Sequence, residues 1–146
     1  MDYFKLDMPR DELLSMSSLG LAHLGTAYLR SWSAPGSACG GKARPRDLHR
    51  ATVKYVSAPA QAAAIERLLP ILTEQEADVY RRGRNTAPHS VPKAASRAQY
   101  QSATGLEALF GWLYLQGRTD RLNELFQCVM EPAESPVPDG GAPHAP

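Results

Sequence analysis

Glu107 stands inside an otherwise apolar run, Ala103-Thr104-Gly105-Leu106-Glu107-Ala108-Leu109-Phe110-Gly111. A carboxylate in such a run either faces water or is held for a purpose, because acids are seldom buried unless paired or bound to a metal. On these residues alone both readings stand. The other groups capable of chemistry do not gather. The four histidines and the two cysteines, Cys39 and Cys128, form no C-x-x-C pair and no ligand-spaced cluster, so the cysteines read as free thiols in a reducing compartment. There is no P-loop, no G-x-S-x-G elbow, no H-E-x-x-H zinc helix and no dinucleotide fingerprint. The chemistries those motifs support have no footing here.

Charge is the second signal. The formal net charge is only +1, but it is segregated. Lys42, Arg44, Arg46, Arg50 and Lys54 face one acid, Asp47, and Arg81, Arg82, Arg84, Lys93 and Arg97 face none, so the two stretches carry +9 and the rest −8. Clustered Lys and Arg displace counterions from phosphates, which suits a polyanionic partner. Two solvated basic loops are the alternative. The hydrophobic fraction of 43% with 21% charged residues is ordinary for a soluble globular protein. No apolar run approaches the roughly 20 residues of a membrane span, and the first residues lack a signal peptide's layout, so a cytoplasmic location is expected.

The elements that must position these groups are helical. Leu14, Leu21, Leu24, Tyr28 and Trp32 recur at helical spacing over about 12–33, with Ser17 or Ser18 as cap. Gly20, Ala22, Gly25 and Ala27 keep that helix slim, which lets another backbone approach and suits a central position. Residues 34–46, with Pro35, Gly36, Gly40 and Gly41, read as a loop. A short helix is expected over Asp47–Val56. Another starts at Ser57 and Pro59 and carries Ile65, Leu68, Leu69 and Leu72. Thr73-Glu74-Gln75-Glu76 is a capping-box sequence opening a helix that Gly83 ends. A short helix over 95–101 precedes a strongly apolar one over Ala103–Gln116, stopped by Gly117. Thr119 caps a last helix bearing Leu122, Leu125, Phe126 and Val129. No segment has a convincing two-residue period. The expectation is one all-α domain over 1–131 and a disordered tail over 132–146, which holds five prolines and two glycines.

Six blocks along this frame resemble mini-ribonuclease III in order. Leu19-Gly20-Leu21-Ala22-His23-Leu24-Gly25-Thr26-Ala27-Tyr28 is similar to the first signature, normally L-A-x-x-G-D-A. Asp47-Leu48-His49, then Val56-Ser57-Ala58 with Gln61, Arg81-Arg82-Gly83-Arg84-Asn85, Val91-Pro92-Lys93, and the Glu107 run resemble the remaining blocks. The match spans roughly 17–130.

The resemblance implies a ribonuclease III catalytic-domain fold and a homodimer whose joint groove holds double-stranded RNA. It implies Mg²⁺-dependent phosphodiester hydrolysis in maturation of a ribosomal RNA precursor. Glu107 matches the family's metal-binding Glu. The family's metal-binding Asp falls on position 26, which is Thr, and a neutral hydroxyl replaces neither the charge nor the ligand. The chain is therefore expected to cut weakly or not at all, and a non-catalytic duplex-RNA-binding protein on the same fold is the alternative. Neither Ala22 nor Thr104 supplies a substitute acid. His23 either touches the site or packs in the core. Lys42, Arg44, Arg46, His49, Arg50, Arg82, Arg84, Asn85 and Lys93 are the expected RNA contacts, with Ser90 a further donor, while Arg81 has Glu76 or Asp78 as rival partners. The stripe from Leu21 to Trp32 and the set Phe110, Trp112 and Leu113 read as core or dimer interface.

Overall fold

A strongly apolar stretch of the sequence becomes the innermost helix. The computed structural model describes residues 8–39, 46, 56–86, 93 and 95–130. Its helices are α1 (Arg10–Ser15), α2 (Ser18–Cys39), α3 (Ala58–Leu68) with a 3₁₀ turn (Leu69–Ile71), α4 (Glu74–Arg84), α5 (Arg97–Leu115) and α6 (Thr119–Met130). No strand occurs among the described residues. The architecture is all-α, as expected.

α5 is buried almost all round: Leu106, Ala108, Leu109, Phe110 and Leu113 are fully enclosed. A helix apolar on every side belongs in a core. Around it pack Tyr28 and Leu29 from α2, Ile65 and Leu68 from α3, Tyr80 from α4, and Leu122, Leu125, Phe126 and Val129 from α6. The α6 residues follow the i, i+3, i+4, i+7 stripe, so one face of that helix is core and the other wet. Each such side chain contributes about 1.5–3 kcal/mol on burial. A second cluster of Leu13, Leu21, Ala22, Ala108 and Leu115 seals the opposite side of α5.

Small residues decide how close the helices come. A Cβ on Gly25 would overlap the Glu107 carbonyl oxygen, and one on Gly111 would overlap the Leu21 carbonyl oxygen. α2 and α5 therefore cross backbone to backbone. Slimness in α2 serves this crossing, while the central place goes to α5.

Several boundaries differ from the sequence expectation. The 12–33 stretch breaks at Met16–Ser17 into α1 and α2, with Ser17 Oγ accepting the Gly20 amide at 3.1 Å. Leu14 falls outside the stripe and is 65% exposed. α2 runs on to Cys39 through the segment read as a loop. Proline's fixed φ is itself helical, so Pro35 removes one hydrogen bond without ending the helix. Leu69 lies in the 3₁₀ turn, 42% exposed, and is not part of the α3 face.

Gly83 does not end α4, which continues to Arg84. It is buried against α5, where a Cβ would stand 2.7 Å from Ala108 Cβ and 3.0 Å from Gly105 Cα. The expected break near 102 is absent. Ser96 and Gln99 form a capping box that opens one continuous α5. Gly117, at φ 65°, closes it: the Gly117 amide bonds Tyr114 O (2.9 Å) and the Arg118 amide bonds Leu113 O (3.1 Å), the paired bonds of a Schellman ending. Thr119 is the first helical residue of α6 and not its cap. Of the helix expected over Asp47–Val56 only Val56 is among the described residues, and the tail over 132–146 lies outside them.

Glu76 does more than cap. Its carboxylate accepts the Thr73 amide (2.9 Å) and a two-pronged bond from Arg121 (2.9 and 2.8 Å), with Arg118 at 3.7 Å. Burial alone would push this carboxyl up, but the Arg121 guanidinium, the Thr73 amide and Arg118 overcome that and hold it below the ordinary value. A fully buried acid thus ties the start of α4 to α6.

Candidate active site at the α2–α5 crossing

The crossing brings the two singled-out positions together. Gly25 lies against the Glu107 backbone, so the next residue, Thr26, projects beside the Glu107 side chain. The Thr26 hydroxyl donates to Ala22 O at 2.9 Å and lies close enough to the Glu107 carboxylate to favour its charged form.

A third helix joins them. Ser57 and Pro59 set the start of α3, and one turn on, Gln61 is 2% exposed. Its Nε2 donates to Val56 O (3.0 Å) and to Glu107 Oε1 (3.1 Å). Its Oε1 is buried and has no partner among the described residues. Burial pushes the Glu107 carboxyl above its ordinary value, and the Gln61 amide, the Thr26 hydroxyl and the nearby Arg30 only partly offset this. The carboxylate is therefore held, not simply wetted. It is a charged group in want of more positive charge.

The expected phosphate contacts fare unevenly. Arg46, Arg82, Arg84, Asn85 and Lys93 are all exposed. Lys42, Arg44, His49, Arg50 and Ser90 lie outside the described residues. Asp78 takes both Arg81 (2.9 Å) and Arg82 (3.2 Å) on the surface of α4; the rivalry over Arg81 ends with Asp78, because Glu76 is enclosed by Arg121. Such exposed pairs are worth little and exchange readily. His23 is exposed, so it is not a core residue.

Residues 19–118 match the ribonuclease III domain family. The chain belongs to the ribonuclease III family. It is 46% identical to Mini-ribonuclease 3 of Symbiobacterium thermophilum over 118 residues, 81% of this chain and 91% of that relative. Mini-ribonuclease 3 of Thermoanaerobacter sp. (strain X514) is 38% identical over 132 residues, 87% of this chain and 89% of that protein. A crystal structure of a Fusobacterium nucleatum protein shares the fold, with TM-score 0.73 at 24% identity over 81% of this chain and 95% of that one. By family this is an endoribonuclease, a hydrolase.

Ribonuclease III enzymes work with a divalent cation, and the crossing offers oxygen only: the Glu107 carboxylate, the Thr26 hydroxyl and the orphaned Gln61 Oε1. Oxygen donors fit a hard cation that keeps much of its water. Glu107 supplies the carboxylate at the crossing, and no group of three His, Cys, Asp or Glu assembles among the described residues.

Two members of the site carried little signal in the sequence. Gln61 was visible only as part of a family block, because nothing local says that α3 delivers it to α5. Arg30 lies four residues beyond Thr26, on the same helical face, and that spacing was the available clue.

Proposed function

We propose that this chain is a double-stranded-RNA-directed member of the ribonuclease III family that hydrolyses phosphodiester bonds with Mg²⁺ at Glu107, acting as a homodimer in maturation of a ribosomal RNA precursor, and that Thr26 leaves it a weak nuclease. One observation carries this reading. Thr26 and Glu107 meet at the α2–α5 crossing, so a single carboxylate stands where the signature of the family calls for two.

Glu107 holds the cation, with Thr26 beside it. Bound there, a divalent cation supplies Lewis-acid charge for attack of water on phosphorus and for the departing oxygen. The chain's own part is to fix the carboxylate by the Gln61 amide, to enclose it between three helices, and to align the duplex. Duplex RNA is read through its shape, its 2′-hydroxyls and its phosphates. The exposed Arg46, Arg82, Arg84, Asn85 and Lys93 are suited to that, as are Lys42, Arg44, His49 and Arg50 by charge and donor type.

Thr26→Asp tests the reading. Restoring the second carboxylate is expected to raise Mg²⁺-dependent cutting of duplex RNA by orders of magnitude, because a catalytic metal is worth several kcal/mol. A second reading rests on the same Thr26: a duplex-RNA-binding protein that does not cut. Retained duplex binding with no cleavage in either Mg²⁺ or Mn²⁺ by the parent chain selects it.

A further inference from the structure

Gln61 has an amide whose two ends are unequally used. Nε2 donates twice, to Val56 O and Glu107 Oε1, while Oε1 is buried and has no partner among the described residues. Turning the amide over would set its oxygen against two acceptors, so the hydrogen bonds fix which end is which. A buried acceptor without a donor is costly, and such groups are uncommon in folded proteins. Oε1 and Nε2 share one carbon, so the orphaned oxygen belongs to the same amide that holds the Glu107 carboxylate. The Thr26 hydroxyl oxygen gives its proton to Ala22 O and keeps lone pairs of its own. Three helices thus bring acceptors into the neighbourhood of Glu107. The waters that a cation such as Mg²⁺ retains bring donors for them.

We propose that Gln61 is a positioning residue of the cation site: Nε2 holds the Glu107 carboxylate at the crossing, and Oε1 accepts a hydrogen bond from water carried by a divalent cation there. This rests on the reading of Glu107 as the cation's carboxylate. Outer contacts of this type orient metal ligands, and losing one typically costs 10–100-fold in affinity.

The test is Mn²⁺ binding by the full chain without RNA, followed by calorimetry and by the electron paramagnetic resonance of free Mn²⁺. Gln61→Leu removes both functions and is expected to weaken binding about tenfold or more. Gln61→Glu keeps size and shape but exchanges the Nε2 donor for a second carboxylate beside Glu107; a cation bound there is held by both carboxylates in place of one, so binding is expected to tighten several-fold even though the Nε2 bond is lost. A purely structural role predicts loss with both variants. If Gln61→Leu fails to fold, as judged by circular dichroism, Gln61→Glu decides: tighter binding supports the proposal, and unchanged or weaker binding overturns it. Should Glu107→Gln abolish Mn²⁺ binding while both Gln61 variants stay within twofold of the parent chain, the inference fails and the reading of Glu107 stands. Mn²⁺ binding indifferent to Glu107→Gln, or no saturable binding by the parent up to millimolar Mn²⁺, removes both.

Discussion

Burial raises the Glu107 carboxyl even though Gln61, Thr26 and Arg30 all favour its charged form. In the interval just above the ordinary glutamate value, the folded protein keeps a proton that the unfolded chain has released. Stability therefore falls as pH rises through that interval. Glu107→Gln relieves the buried charge and keeps an oxygen for the Gln61 amide. It is expected to raise the melting temperature at neutral pH by about 2–4 °C, the shift that 1 kcal/mol gives in a domain of this size. Thermal melts at several pH values check this, and a lower melting temperature would argue that Glu107 serves packing and not chemistry. Glu76 has the opposite sign. Its carboxyl is held below the ordinary value, so its contribution is present above that value and is lost as pH falls through the lowered one.

At the scale of elements, the site depends on how closely α2 and α5 approach. A methyl group on Gly25 has only the Glu107 backbone to displace, whereas one on Gly20 meets Ser17 Oγ at 3.3 Å and the flexible end of Met16 at 3.6 Å. Gly25→Ala is expected to destabilise by about 3 kcal/mol or more, since overpacking against backbone has no cheap relief. Gly20→Ala is expected to stay within about 1 kcal/mol of the parent, or to gain from helix propensity. Chemical denaturation of the pair measures the difference, and equal effects would refute the close crossing.

What could be read from the sequence at this scale was local. The Thr73–Glu76 box, the Gly117 stop and the α6 stripe each lie within a few residues and came through. Gly83 and Pro35 misled, because a glycine that permits helix contact looks like one that ends a helix, and a proline's cost depends on what holds the rest. Arg121 reaching Glu76 and Gln61 reaching Glu107 span 45 and 46 residues. No pattern within one helix announces such pairs. The pairing of position 26 with Glu107 was legible only through the family resemblance.

For the whole molecule the organising quantity is charge distribution. Two basic stretches with +9 between them sit on a chain whose remainder is −8, so attraction to a polyanion is confined to part of the surface. Duplex-RNA binding is expected to weaken steeply with salt. About six phosphate contacts correspond to a slope near −5 in log affinity against log salt concentration. Fluorescence anisotropy at several salt concentrations measures it, and a flat dependence would exclude the basic stretches as the binding surface. Duplex DNA of the same sequence should bind less well, because 2′-hydroxyls distinguish the two.

The most direct measurement is cleavage of a double-stranded RNA in Mg²⁺ by the parent chain and by Thr26→Asp, side by side at equal protein concentration. A site with one carboxylate in place of two predicts little or no cutting by the parent and a gain of orders of magnitude in the variant. Equal rates from the two proteins would contradict it and move the cation away from the α2–α5 crossing.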